Sequence, residues 1–375
     1  MTSAYSATAM LRAALEPLCT RHFSADLARA YSYIDRLCLH LCFHIAQECQ
    51  LPRRSPETLA DLAARIGLGP EAAYLLTAIL DILAEEGFAT WTEDGWVACR
   101  PCPPDGSAEL QRAARMACPE ALATFELIER CHDHAVAFIG GHEPGMAAIF
   151  PRGDLGLWER IHTADAVMSL YADLIPPALE VILGQGAHVL EVGAGVGAVA
   201  QRCLPLLRRR DTREYWFTDL GKLFVQRAQD RYGHKAWMRF ATVDLDGSLS
   251  DQGFGPGSVD VVIAVNVLHV ARDLVFTLRE LHAALRAPGW LLCAEGSPPD
   301  HRRRWRLCLI YAFLHGWWDV SLDATMRPRP GFLLPSEWTT ALRACGFDRV
   351  QTLPGEEWFD GPCRGGLIIA AKGVT

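Results

Sequence analysis

The segment His188-Val189-Leu190-Glu191-Val192-Gly193-Ala194-Gly195-Val196-Gly197-Ala198 constrains this chain more than any other. A short apolar run carries one charge near its end, three glycines alternate after it, and Val199-Ala200-Gln201-Arg202 follows. That order specifies a buried parallel strand, a tight turn and a helix. Glycine suits the turn because a side chain would hold the backbone away from a ligand lying across the helix N-terminus. The turn is therefore a cofactor cradle.

Gly193-x-Gly195-x-x-Ala198 also meets a permissive dinucleotide fingerprint, so a nicotinamide-dependent oxidoreductase is one reading of it. The residues that follow narrow the choice. Glu214-Tyr215-Trp216-Phe217-Thr218-Asp219 reads as a second strand ending in a carboxylate suited to accept both hydroxyls of a ribose. Phe240 to Asp244 reads as a third strand with an acidic end, and Val261 to Asn266 as a fourth. The turn Ala287-Pro288-Gly289-Trp290 leads into a fifth, Leu291 to Glu295, and Gly365 to Lys372 makes a final strand. Polar residues thus recur at the carboxyl ends of consecutive strands, where an open α/β sheet binds its ligands.

Three regions precede or make up this sheet: 1–103, 104–183 and 184–375. In the first, Tyr33-Ile34, Leu37, Leu41 and Ile45 give one apolar helical stripe. His40, His44 and Glu48 share another face of that helix and are read as its polar flank, so no metal is expected. Ser55 is expected to cap a helix starting at Pro56, a second helix should run from Glu71 to Glu86, and an Asp94-Gly95 hairpin should close a winged-helix-like unit. Glu71, Asp81, Glu85 and Glu86 make its second helix acidic, which would repel phosphates, so a packing or dimerisation role is preferred over DNA binding. The second region is helical, broken at Gly140-Gly141 and Pro144-Gly145. A basic run, His301-Arg302-Arg303-Arg304-Trp305-Arg306, is read as a solvated helix start.

The formal charge of −8 argues against a nucleic-acid partner. The 13 cysteines are odd in number and lack a pair of CxxC motifs, which fits a reducing cytoplasm better than a disulfide framework. Met1 to Glu16 has no basic start before an apolar run, and no stretch reaches about 18 uninterrupted apolar residues, so neither a secretory signal nor a membrane span is expected.

With these residues in view, the segment from about residue 140 onward resembles the carbon-methylating methyltransferase domains of modular polyketide synthases. The matching phrases are Leu190-Glu191-Val192-Gly193-Ala194-Gly195, Phe217-Thr218-Asp219, Gln252-Gly253-Phe254 and Asn266-Val267-Leu268-His269. Ala287-Pro288-Gly289, Trp317-Trp318-Asp319, Ser336-Glu337-Trp338 and Gly346-Phe347 continue it, with Ile149-Phe150-Pro151, Gly153 and Tyr171 upstream. The resemblance implies an α/β, Rossmann-like sheet of seven strands with a C-terminal antiparallel hairpin, and an N-terminal, mostly helical cap containing the winged-helix-like unit. It implies S-adenosylmethionine as cofactor. Glu191, Gly193, Ala194, Gly195 and Asn266 would then lie near its methionine part, Asp219 on the ribose, Leu220 beside the adenine and Asp244 on the adenine amine, with Leu245 also a cofactor-binding residue.

In the resembled domains a His–Glu pair takes the α-proton of a β-ketoacyl thioester, which assigns the base to His269 and its orienting carboxylate to Glu295. Tyr171 falls where a lid tyrosine approaches the cofactor. Ala172, Val196 and Gly221 depart from the Asn, Thr and Ser usual in the family. The substrate expected is a small or carrier-protein-bound acyl group methylated on carbon, or otherwise oxygen, with pairing of two copies of the chain left open. Some free-standing relatives are similar to azetidine-carboxylate synthases, in which the cofactor's own amine displaces methylthioadenosine; a non-catalytic cofactor-binding or winged-helix regulatory protein is a third reading.

Overall fold

The structure is a computed structural model that describes residues 4–22, 24–298, 305–353 and 365–373. Two compact units emerge, one of residues 25–161 with 299–318, the other of 1–24, 162–298 and 319–375. The three regions drawn from the sequence follow chain order, whereas the compact units interleave. His301 to Arg304 of the basic run lie outside the described residues.

In the first unit the helix Ala25–Glu48 buries Leu27, Ile34, Leu37, Leu41 and Ile45 along one face and packs on the helices Ser107–Ala117 and Leu122–Ile139. The winged-helix-like unit consists of the helix Leu59–Ile66, the helix Ala73–Glu85 and an antiparallel hairpin, β1 Ala89–Thr92 and β2 Gly95–Ala98. Its first helix starts three residues later than expected. Thr58, not Ser55, is the cap: its hydroxyl accepts from Asp61 N and the Asp61 carboxylate accepts from Thr58 N. The reason lies in the hairpin. Glu57 exchanges two backbone hydrogen bonds with Trp96, at 3.0 and 2.8 Å, so the chain stays extended up to that residue.

The second unit carries a seven-stranded sheet made of β3 His188–Val192, β4 Glu214–Asp219, β5 Met238–Thr242, β6 Val259–Val265, β7 Leu285–Gly296, β8 Arg349–Leu353 and β9 Gly365–Lys372. Its order is β5-β4-β3-β6-β7-β9-β8, parallel except for β9, which runs antiparallel to both β7 and β8. This is the α/β, Rossmann-like sheet with a C-terminal antiparallel hairpin that the sequence led us to expect. Strands β3, β4 and β9 occupy the expected residues. β5 starts and ends two residues earlier than expected, which leaves Asp244 beyond the strand end. The expected turn Ala287-Pro288-Gly289 lies within β7, as a register shift: Val259 pairs with Leu285 and Val261 with Trp290.

Leu190, Val192, Val262, Ala264, Leu291, Cys293, Ile368 and Ala370 point from the sheet into a core closed by Leu278, Leu281, Leu342 and Trp338. Near-continuous apolar strands are what burial on both faces of a parallel sheet demands. β4 and β6 flank β3 on opposite sides, so the strand order reverses there and a crevice opens above the carboxyl ends of β3 and β6. Among the described residues no helix is long and apolar enough to cross a membrane.

Candidate cofactor and catalytic site

The glycine turn sits at that reversal. Gly193 has φ +60° and a Cβ there would stand 2.3 Å from Val267 Cγ2, in the loop after β6. The lack of a side chain at Gly193, expected from a ligand's approach, is required first by the neighbouring loop. Gly195, at φ +52°, has nothing nearer its missing Cβ than Gly193 O at 4.0 Å. Here the absent side chain does leave room for a ligand. Gly197, at φ +81°, starts the helix Ala198–Arg209.

Asp219 at the end of β4 ties this turn to the next loop. Its Oδ2 accepts from Gly195 N at 2.8 Å and its Oδ1 from Gly221 N at 2.7 Å. Burial raises its pKa, and the two amide bonds oppose that rise. Each oxygen keeps a second lone pair for hydroxyl donors. A pyrophosphate would find the Gly195 amide engaged and a carboxylate beside it. Leu220, next in the chain, is 65% exposed, and Leu245 is partly buried against the core.

Asp244 is held beyond β5 by Gln252, whose Oε1 accepts from Asp244 N at 2.8 Å while its Nε2 donates to Asp244 O at 2.9 Å and Ser248 O at 3.1 Å. Gln252 had signalled only as part of a matching phrase; its role as a clasp depends on a loop closing over eight residues. Asn266, after β6, adopts φ +50° and accepts from Gly296 N at 3.2 Å through Oδ1. Its Nδ2 is shielded from solvent and makes no hydrogen bond, a donor left over for an acceptor such as an amino-acid carboxylate. Open space at Gly195, acceptor capacity at Asp219 and a spare donor at Asn266 fit S-adenosylmethionine better than a dinucleotide.

Glu191 lies near the end of β3, within electrostatic reach of Asp219. It is 2% exposed, and Tyr215 Oη, itself fully buried, donates to its Oε2. Its backbone carbonyl accepts from Thr218 Oγ1 at 2.7 Å, and Thr218 O accepts from Ala194 N at 2.9 Å, so the residue braces the turn. Burial pushes its carboxyl from 4.5 up to about 8, with the Tyr215 bond opposing and Asp219 adding to the rise. A folded pKa above the unfolded one means stability that is full below 4.5 and is lost as pH climbs through 8, at about 1.4 kcal/mol per pH unit within that window. Glu191→Gln, which keeps the shape and cannot ionise, should remove that share of the loss. Urea unfolding at pH 5 and pH 9 checks this; a variant that loses as much stability as the parent would contradict it.

The pair expected to act chemically is brought together. His269 lies on the single turn Leu268–Val270 after β6, Glu295 near the end of β7, and Nδ1 stands 2.6 Å from Oε2. Both are buried, at 4% and 0% exposure. Glu295 Oε1 accepts from Val267 N at 3.1 Å and Leu268 N at 2.9 Å. Two amide donors on Oε1 hold the carboxylate so that Oε2 faces Nδ1. In the tautomer with the proton on Nδ1, the imidazole lone pair is on Nε2. The Phe332 ring packs on the imidazole with centroids 4.4 Å apart.

Arg327 was invisible to sequence reasoning. It is 1% exposed and clamps the same turn, donating to Ala271 O at 2.6 Å and to His269 O. Burial lowers its pKa to about 10, so it stays charged at neutral pH, with Glu295 among the carboxylates that favour the charge. The expected lid residue Tyr171 is fully buried on the helix Ala166–Asp173, and its Cε1 would lie 2.7 Å from a Cβ on Gly365, at the start of β9 beside Glu295.

A family model described as a methyltransferase domain matches residues 190–291. The pyochelin synthetase PchF of Pseudomonas aeruginosa is 30% identical over 72% of this chain and 16% of its own length. The polyketide synthase ThaQ of Burkholderia thailandensis is 31% identical over 72% of this chain and 14% of its own length. The chain thus spans about a sixth of these curated relatives. Among solved structures, the CurJ carbon methyltransferase is similar at a TM-score of 0.88 and 26% identity, covering 98% of each chain.

Proposed function

This chain is a class I methyltransferase dependent on S-adenosylmethionine, resembling the carbon-methylating domains of polyketide synthases, and on that premise we propose that it methylates an acidic carbon of a small or carrier-bound acyl substrate in natural-product assembly. The observation that carries the reading is the buried His269–Glu295 pair at 2.6 Å. An ionised carboxylate fixed by two amides costs a fold something to bury, and orienting an imidazole as base is a use for it. The carbon between a thioester and a ketone carbonyl, α to both, is acidic enough for such a base.

When bound, S-adenosylmethionine supplies a methyl group on a sulfonium, already activated for transfer. Gly195, Asp219 and Asn266 would hold it, with Leu220, Asp244 and Leu245 toward the adenine. His269 Nε2 accepts the acceptor's α-proton, and the C–H electron pair passes to the acceptor as an enolate. The imidazolium so formed keeps its Nδ1–H on Glu295, whose negative charge offsets it. Arg327 and Phe332 restrict the turn and ring, so the base is pre-oriented. Tyr171, buried by the end of β7, belongs to the same group in this reading.

Incubation of the protein with S-adenosylmethionine and a β-ketoacyl thioester, followed by mass spectrometry, tests the proposal. The expected result is S-adenosylhomocysteine and a product heavier by one methylene on the α-carbon, only when the acceptor is present. A methyl on oxygen, methylthioadenosine released without acceptor as in azetidine-carboxylate formation, or unchanged cofactor would each overturn it.

A further inference from the structure

Outside the crevice, the first unit brings together three groups that lie far apart in the chain. His44 comes from the helix Ala25–Glu48, His132 from the helix Leu122–Ile139, and Asp105 from the segment leading into the helix Ser107–Ala117. One ligand atom of each lies within 4.8 Å of the other two. The imidazoles stack, with centroids 4.2 Å apart and planes 23° from parallel. His132 Nε2 approaches Asp105 Oδ2 to 3.1 Å, yet the alignment is not that of a hydrogen bond, and this shielded nitrogen makes none.

Each imidazole, when neutral, has one nitrogen lone pair to offer. Burial and the neighbouring His132 both hold His44 below its usual range. The carboxylate is positioned independently: Asp105 Oδ1 accepts from Ser107 N at 2.9 Å and Oδ2 from Ser107 Oγ at 3.0 Å, leaving further lone pairs. His40, one turn before His44, also faces the linker, its Nδ1 accepting from Gly106 N at 3.2 Å and standing 3.8 Å from Asp105 Oδ1. That contact holds the same linker against the same helix.

We infer that His44, His132 and Asp105 form a site for a divalent transition-metal ion of the zinc type, with water completing its shell. Two neutral imidazoles and one carboxylate are the donors such borderline ions select, whereas magnesium and calcium take oxygen ligands alone. Three ligands from two helices and a linker would make the ion a clip that fastens the linker to the helix pair. The site is separate from methyl transfer and does not depend on it.

The test uses the full chain after chelator treatment. Zinc chloride titrated calorimetrically should bind at one equivalent and raise the thermal midpoint by roughly 3–4 °C at a hundredfold excess over Kd. Cobalt chloride should give visible ligand-field bands without a sulfur charge-transfer band; such a band would mark uptake by thiols, of which Cys99 and Cys102 stand three positions apart among the 11 described free cysteines. His44→Ala, His132→Ala and the milder His132→Gln should each lose this uptake while far-UV circular dichroism stays that of the parent; Asp105→Asn should weaken it. Absence of saturable uptake, uptake unchanged in both histidine variants, or a sulfur band would overturn the inference.

Discussion

The variant His269→Ala is expected to lose turnover by about 10²- to 10⁴-fold, the range a positioned general base contributes, while its affinity for S-adenosylmethionine stays close to the parent's. The separation follows from the geometry. His269 sits after β6 with its Nδ1 on Glu295, whereas the groups proposed to hold the cofactor are Gly195, Asp219 and Asn266. Truncation leaves Glu295 with its two amide donors from Val267 and Leu268, so the carboxylate remains partly compensated and the turn keeps its clamp on Arg327. Single-turnover rates measured beside calorimetric cofactor titration and thermal unfolding distinguish the outcomes. Near-parental turnover in a folded variant that binds cofactor would remove His269 as the base.

Gly193→Ala is expected to cost roughly 2–4 kcal/mol of stability, combining strain at positive φ with overpacking, and to weaken cofactor binding with it. The new methyl would stand 2.3 Å from Val267 Cγ2, 2.7 Å from its Cβ and 3.1 Å from its Cγ1. No rotation of the valine relieves a contact with Cβ. Adding Val267→Ala removes both γ carbons and should recover part of the loss, leaving the 2.7 Å contact with Cβ and the backbone strain at φ +60°. Denaturant unfolding of the single and double variants measures each share. A single variant as stable as the parent, or a double variant no better than the single, would show that Val267 does not set the requirement.

Much of the cofactor side was legible in the amino-acid order because its signals are local. A strand, a glycine turn and a helix are specified by neighbours in the chain, and β3, β4 and β9 fall on the expected residues. Terminal polar groups could then be assigned to the ligand edge of a parallel sheet. Other features escaped for an equally physical reason. Arg327 reaches a carbonyl 58 residues away, and nothing in its surroundings, Met326-Arg327-Pro328, distinguishes it from a surface arginine. The Thr58 cap depended on Glu57 pairing with Trp96, a contact across the hairpin. The helix pattern of His40, His44 and Glu48 pointed to a polar flank; His44 instead meets Asp105 and His132 from other elements.

By itself, then, the sequence determined the α/β class, the turn at residues 193–197 and the polar strand ends, since hydrophobic period and glycine placement act within a few residues. Tertiary structure alone decided that Gly193 answers to Val267, that Arg327 clamps the His269 turn, and that His44 and His132 stack beside Asp105. Which strands and helices become neighbours is settled by burying all their apolar faces at once, and that collective choice brings distant side chains into contact.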